Sequence, residues 1–279
     1  MKIIKVTNIE KFATKILPKQ PQKNRIIVES ILKDVKKNGD VAIRKYEKKF
    51  SRANITTLQI SKAEIKNAYS KVSKIELDSL RLAKKRLEKT ESAIKSLLKN
   101  KTINQDGIKI SKKFIPIQSV GCYIPGGLAK YPSSVIMSVV PAKVAGIKRI
   151  VVVSPPNTDG KIDPLTIVAA NLCGANEIYK TGGVQSIAAL SYGTKSILKV
   201  DKIVGPGGAF VTTAKYLISN ETGIDMLAGP TELGIISDNS TNPKLIALDL
   251  ISQAEHSSDT LCYLITTSQK LANSVNKII

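Results

Sequence analysis

Gln253 and His256 stand three residues apart in the stretch "LISQAEHSSDT", and His256 is the only histidine in 279 residues. Imidazole is a common metal ligand and a proton shuttle near neutral pH. Spacing of three puts both side chains on one face near the end of the helical pattern "NPKLIALDLISQAEH". Two readings fit. The pair offers two donors of a mixed zinc site, or a helix dipole favours the histidine at its C-terminal end beside an exposed glutamine. Three glycine-rich turns form a second group: "YIPGG" at 123–127, "KTGGVQ" at 180–185 and "GPGGAF" at 205–210. Each follows an apolar run, and glycine there serves either a tight turn or a close backbone approach to a ligand. None has the G-x-G-x-x-G spacing, so a dinucleotide is one candidate ligand among several. Cys122, Cys173 and Cys262 are far apart and lack C-x-x-C spacing. They read as reduced thiols of a cytoplasmic protein, not as a disulfide framework or a cysteine zinc site.

The elements that must position these residues divide into two textures. Residues 1–104 read as a Lys-rich helical section. Asn38-Gly39 is a turn signal, and Asp40 is expected to cap a helix through "VAIRKYEKKF". Ser61 with Glu64 and Ser73 with Glu76 are two capping boxes, the second opening a helix to about Asn100. Residues 105–279 read as an α/β region. "IKISKKFIPI" alternates as a strand, "RIVVVSPP" is a buried strand, and Asp163-Pro164 starts a helix. "NEIYKTGG", "DKIVGPGG", "ELGIISD" and "LCYLITTS" repeat the strand theme with helices between. This pattern predicts parallel βαβ units, with ligands at the carboxyl ends of the strands.

The net charge of +21 is concentrated at the front, with 30 Lys and Arg against 11 Asp and Glu up to residue 115. The excess is mostly lysine on helical patterns interleaved with acids. It lacks an arginine cluster and has few aromatic platforms, so solvated helix faces are expected and specific nucleic-acid recognition is not. No uncharged apolar run approaches the length of a membrane span, and no secretory signal is read at the start.

The stretches "GCYIPGGLAKYPSSVIMSVVPAKVAG", "GGVQSIAALSYGT", "VDKIVGPGGAFVTTAK", "IDMLAGPTEL" and "DLISQAEHSSDT" follow one another in an order and spacing that resemble the histidinol dehydrogenase family. The likeness is close over roughly 105–270 and looser in the basic helices. It implies a pair of incomplete Rossmann-like units with parallel-rich sheets, in a cytoplasmic homodimer. It also implies NAD-dependent oxidation of L-histidinol to L-histidine through histidinal, at the end of histidine biosynthesis. By the same resemblance Tyr123 and Gln185 match NAD contacts, and Gln253 and His256 match zinc ligands that also touch histidinol. Thr231 stands where a substrate-contacting serine is usual and keeps the hydroxyl. Gly208 replaces an NAD-contacting asparagine and leaves only backbone to offer. The family's Glu-His pair, which handles protons, is expected beyond residue 279. The sequence stops inside a helical pattern and reads as truncated at its C-terminal side, so this stretch alone is expected to be inactive. The alternative reading is a non-catalytic ligand- or nucleic-acid-binding protein on the same fold.

Overall fold

A computed structural model describes residues 2–16, 22–126, 130–227, 232–255 and 260–279. Two compact units are present: Lys23–Leu227, and Met1–Gln22 with Ala228–Ile279.

The larger unit is built on a parallel sheet. Its strands are β3 (Ser119–Tyr123), β4 (Arg149–Ser154), β5 (Glu177–Lys180), β6 (Lys202–Val204) and β7 (Gly223–Ile224), in the order β5-β4-β3-β6-β7. The chain starts at the centre with β3 and steps outward through α6 (Pro132–Ala145) and α7 (Pro164–Cys173). It then crosses back through α8 (Gly183–Tyr192) and α9 (Ala209–Ile218) to the other side of β3. Strand order therefore reverses between β3 and β6, where a doubly wound sheet opens a crevice at its carboxyl edge.

Alternation along the strands feeds two cores. Ile150 and Val152 face one cluster with Val120, Cys122, Val139 and Ile167. Val151 and Val153 face the other with Tyr123, Ile187, Leu190 and Ala214. From Lys23 on, the helical section belongs to the same unit. Helices α2 (Gln22–Asn38) and α3 (Asp40–Phe50) place Val28, Val35, Ile43 and Tyr46 in the second cluster. Helices α4 (Lys62–Tyr69) and α5 (Lys74–Ser96) place Ala68 and Leu80 in the first. Between α3 and α4, residues 58–60 pair with the edge of β5: Lys180 N–H donates to Leu58 O at 2.7 Å and Ile60 N–H to Ile178 O at 2.8 Å. The β5 edge of the sheet is thus covered.

Local signals explain most element starts. Both expected capping boxes form, with Ser61 and Ser73 accepting from Glu64 and Glu76. Asp163 caps α7 by accepting from Leu165 N–H at 2.9 Å. Asp40 does not cap. It lies inside α3, and its carboxylate accepts from the Ser196 hydroxyl at 2.5 Å, across the fold. Helix α5 ends at Ser96 instead of running to Asn100. The strand read in "IKISKKFIPI" is β2 (Ile108–Lys112), which pairs with β1 (Lys101–Gln105) in an antiparallel hairpin whose residues are all exposed.

The smaller unit contains α1 (Ile9–Ile16), β8 (Glu232–Ile236), α10 (Pro243–Ala254), β9 (Leu261–Ile265) and α11 (Gln269–Ile278). β8 and β9 are parallel and joined through α10, a βαβ unit whose core is Ile246, Leu250, Leu271 and Val275.

Burial sets the behaviour of two thiols. Desolvation pushes Cys122 up to about 12 and Cys173 up to about 11. In the folded chain at pH 8, both are expected to stay unmodified by a disulfide reagent over hours and to react within minutes in guanidinium. Mass spectrometry of labelled peptides reads this, and rapid native labelling of Cys122 would contradict the packing described.

Candidate functional site

Three turns meet at the carboxyl edge of the sheet, and Tyr123 joins two of them. At the end of β3 its ring is only 6% exposed, inside the core cluster. Burial pushes its hydroxyl up to about 12, and the neighbouring Gly183 backbone amide opposes that rise. Its backbone carbonyl lies against Gly205, where φ is +118° and an added Cβ would sit 2.1 Å from Tyr123 O. Only glycine fits there. The Gly205 turn is held from both sides: its N–H donates to Asp225 Oδ2 at 2.8 Å, and Lys215 Nζ donates to its carbonyl at 2.9 Å. Lys215 also pairs with Asp225 Oδ1. Burial opposes the charge on Asp225, but hydrogen bonds from Lys215, Gly205 and Met226 hold its carboxyl below the usual range.

The turn after β5 packs equally closely. A Cβ on Gly182 would meet Pro155 Cβ at 2.5 Å, so the loops after β4 and β5 touch through a bare backbone. Here α8 begins, and its N-terminal end is already occupied. Glu47, fully buried, reaches in from α3 and accepts through Oε1 from Thr181 Oγ1 (2.8 Å), Gly182 N (2.9 Å) and Gln185 Nε2 (2.7 Å). Its Oε2 accepts from Ser51 Oγ at 2.7 Å. Gln185 is 2% exposed, and its Oε1 is buried with no partner.

Helix α9 differs. Gly208 is its N-cap with φ −65°, no side chain caps it, and nothing lies within 4 Å of a Cβ built there. Its first-turn N–H groups have no carbonyl within the helix to bond, which makes this end able to take an anion. A cavity of about 510 Å³ is lined by Phe50 and Ser51 at the end of α3 and by Gly126, Pro155 and Asn157 in the loops after β3 and β4. A buried glutamine oxygen lacking a donor, a bare glycine N-cap and closely packed glycine turns fit a nucleotide at this edge.

In the smaller unit Gln253 lies in the last turn of α10, with its Nε2 buried and unpartnered. His256, expected on the same helix face, lies outside the described residues, as does Thr231. Among the described residues no group of three or more His, Cys, Asp and Glu could hold a metal ion. The described donors alone therefore do not make a four-coordinate zinc site.

Glu47 and Lys215 were not singled out by motif. Each carries a signal in retrospect: Ile43 and Glu47, and Val211 and Lys215, are i,i+4 pairs on buried helix stripes. A charge on an apolar stripe calls for a buried partner.

A parallel sheet wound to both sides of its central strand, with glycine turns at its carboxyl ends, defines a doubly wound α/β protein. The family model for histidinol dehydrogenase matches residues 17–279, so the chain belongs to the histidinol dehydrogenase family. It is 44% identical over 252 residues to a histidinol dehydrogenase of Methanocaldococcus jannaschii, covering 90% of this chain and 59% of that relative. It is 44% identical over 270 residues to one from Clostridium acetobutylicum, covering 95% and 62% respectively. The crystal structure of histidinol dehydrogenase from Elizabethkingia anophelis superposes with a TM-score of 0.84 at 36% identity, covering 96% of this chain and 62% of that one. The chain thus spans about three fifths of the length of these relatives.

Proposed function

We propose that this chain contributes the nucleotide-binding part of an NAD-dependent histidinol dehydrogenase, which oxidises L-histidinol to L-histidine through histidinal. The observation that carries the reading is the convergence of the turns after β3, β5 and β6 at the switch point. Gln185 would bond the nucleotide there, and Tyr123 would hold the two turns that shape the site. Gly208 would present its bare backbone at the start of α9. When bound, NAD would supply the acceptor for a hydride. The chain's residues bind and orient it, and the packed turns around Gly182 and Gly205 exclude water from that edge.

Gln253 and His256 are proposed as two zinc donors that also touch histidinol, with Thr231 contacting the substrate. Gln253 would give zinc its amide oxygen, because its buried and unpartnered Nε2 is a donor. The same reading extends to a homodimer working in the cytoplasm. The lysines of the helical section are assigned to solvation, not to nucleic acid.

His256 is the single histidine of this sequence, so giving it to zinc leaves no second histidine for proton transfer. The 279-residue chain alone is therefore expected to produce no NADH from histidinol. Mixed with a polypeptide carrying the remaining part of a relative, it is expected to turn over, and His256→Ala in the mixture to abolish the rate. Absorbance at the NADH band reads all three samples. A mixture that works equally well with His256→Ala would remove the histidine from the proposed metal site.

A further inference from the structure

Glu47 is fully buried, lies on a helix of the basic section, and has no part in the function proposed so far. Its contacts are specific in direction. Four donors converge on it: Thr181 Oγ1, Gly182 N, Gln185 Nε2 and Ser51 Oγ. A carboxylate accepts and does not donate, so the end of Gln185 that meets it must be the NH₂. The reversed amide would set one acceptor against another in a buried place, at a cost of the order of a lost hydrogen bond to a charged group. The carbonyl oxygen of Gln185 then faces away from Glu47, and it is the buried atom without a partner. Buried acceptors are rarely left so, and one held rigidly open waits for a donor.

We infer that Glu47 is a positioning residue that fixes the amide of Gln185 so that it offers an acceptor, and that this acceptor takes a ribose hydroxyl of NAD, not a phosphate oxygen. The inference rests on the reading of Gln185 as an NAD contact. It also specifies where the phosphates do not go. The positive end of α8 already holds a carboxylate, so an anion there would meet Glu47 and a second acceptor. The bare start of α9 carries no such charge. Ser51 links the arrangement to solvent, since it bonds Glu47 and lines the cavity beside Gly126 and Pro155.

The test is calorimetric titration of the 279-residue chain with NAD and with NAD analogues deoxygenated at each ribose. Gln185→Met removes the acceptor at similar volume and is expected to raise the dissociation constant about tenfold, the order of one hydrogen bond. One deoxy analogue should lose a similar factor on the wild type and nothing further on Gln185→Met. Glu47→Gln keeps one oxygen for Thr181, Gly182 and Gln185, while its NH₂ would donate to the Ser51 hydroxyl, and it is expected to keep both the affinity, within about threefold, and the discrimination. Glu47→Ala should weaken NAD about tenfold and add nothing to Gln185→Met in the double variant. An unchanged NAD affinity in Gln185→Met would sink the reading of Gln185 as a contact. A loss in Gln185→Met with equal penalties for every deoxy analogue on both proteins would overturn the present inference and leave that reading standing. If Glu47→Ala does not fold, the analogue comparison on wild type and Gln185→Met still decides.

Discussion

Lys215→Met is expected to cost the chain about 3 kcal/mol of stability at neutral pH, the low end of the range for breaking a buried ion pair. Lys215 is 2% exposed and donates to both Gly205 O and Asp225. Methionine fills the volume but leaves that carbonyl and that carboxylate without the cation. The Asp225 side chain keeps 28% exposure, which is why the low end applies. The sign of the pH dependence follows from the depressed carboxyl of Asp225. A folded-state value below the unfolded one contributes stability that is present above the ordinary carboxylate range. That stability is lost as pH falls through the folded value. In the variant the cation is gone and this contribution shrinks. The difference between wild type and Lys215→Met should therefore be largest near neutrality and narrow as pH falls below the ordinary aspartate range and through the lower folded-state value of Asp225. Urea melts at three pH values read it. A difference that widens on acidification would show that the pair does not hold Asp225 ionised.

Gly205→Ala is expected to cost still more, roughly 3–5 kcal/mol, from backbone strain and overpacking together. The added carbon would sit 2.1 Å from Tyr123 O, at a φ of +118°. The atom it meets is backbone at the end of a central strand, so no rotamer change relieves it. Gly208→Ala is the matched control. With φ −65° and nothing within 4 Å, it should change stability by less than about 0.5 kcal/mol. Denaturant midpoints for the pair read the contrast. Equal effects from the two substitutions would contradict the packing of the β6 turn against Tyr123.

These two glycines mark what the sequence could and could not disclose. Both stand in "GPGGAF", and the spacing announces a turn without saying which glycine is indispensable. That depends on Tyr123, in a strand brought alongside by the sheet. Signals that act within a few residues were legible: Ser61 with Glu64, Ser73 with Glu76, and Asp163 before Pro164 all cap as their spacing suggests. Asp40 had the type and place of a cap, yet a longer-range hydrogen bond to Ser196 claims it. Glu47 and Lys215 looked like more charge on basic or amphipathic helices. Their partners lie at the ends of other elements, so only the buried stripe on which they sit hinted at them. Strand β1, "KTINQ", buries no side chain and so carries no apolar pattern to read. Of the site residues named from resemblance, the fold brings Tyr123 and the start of α8, with Gln185, to one edge. Thr231 and His256 lie outside the described residues.

The central claim is that the switch-point crevice of this chain takes NAD, and titration of the 279-residue chain with NAD alone, without zinc or histidinol, tests it most directly. The account predicts saturable binding at one site with a dissociation constant of about 1 mM or tighter, weakened by Gln185→Met and tightened by Gly208→Asn. The absence of saturable binding up to about 10 mM NAD by a chain shown to be folded would contradict it.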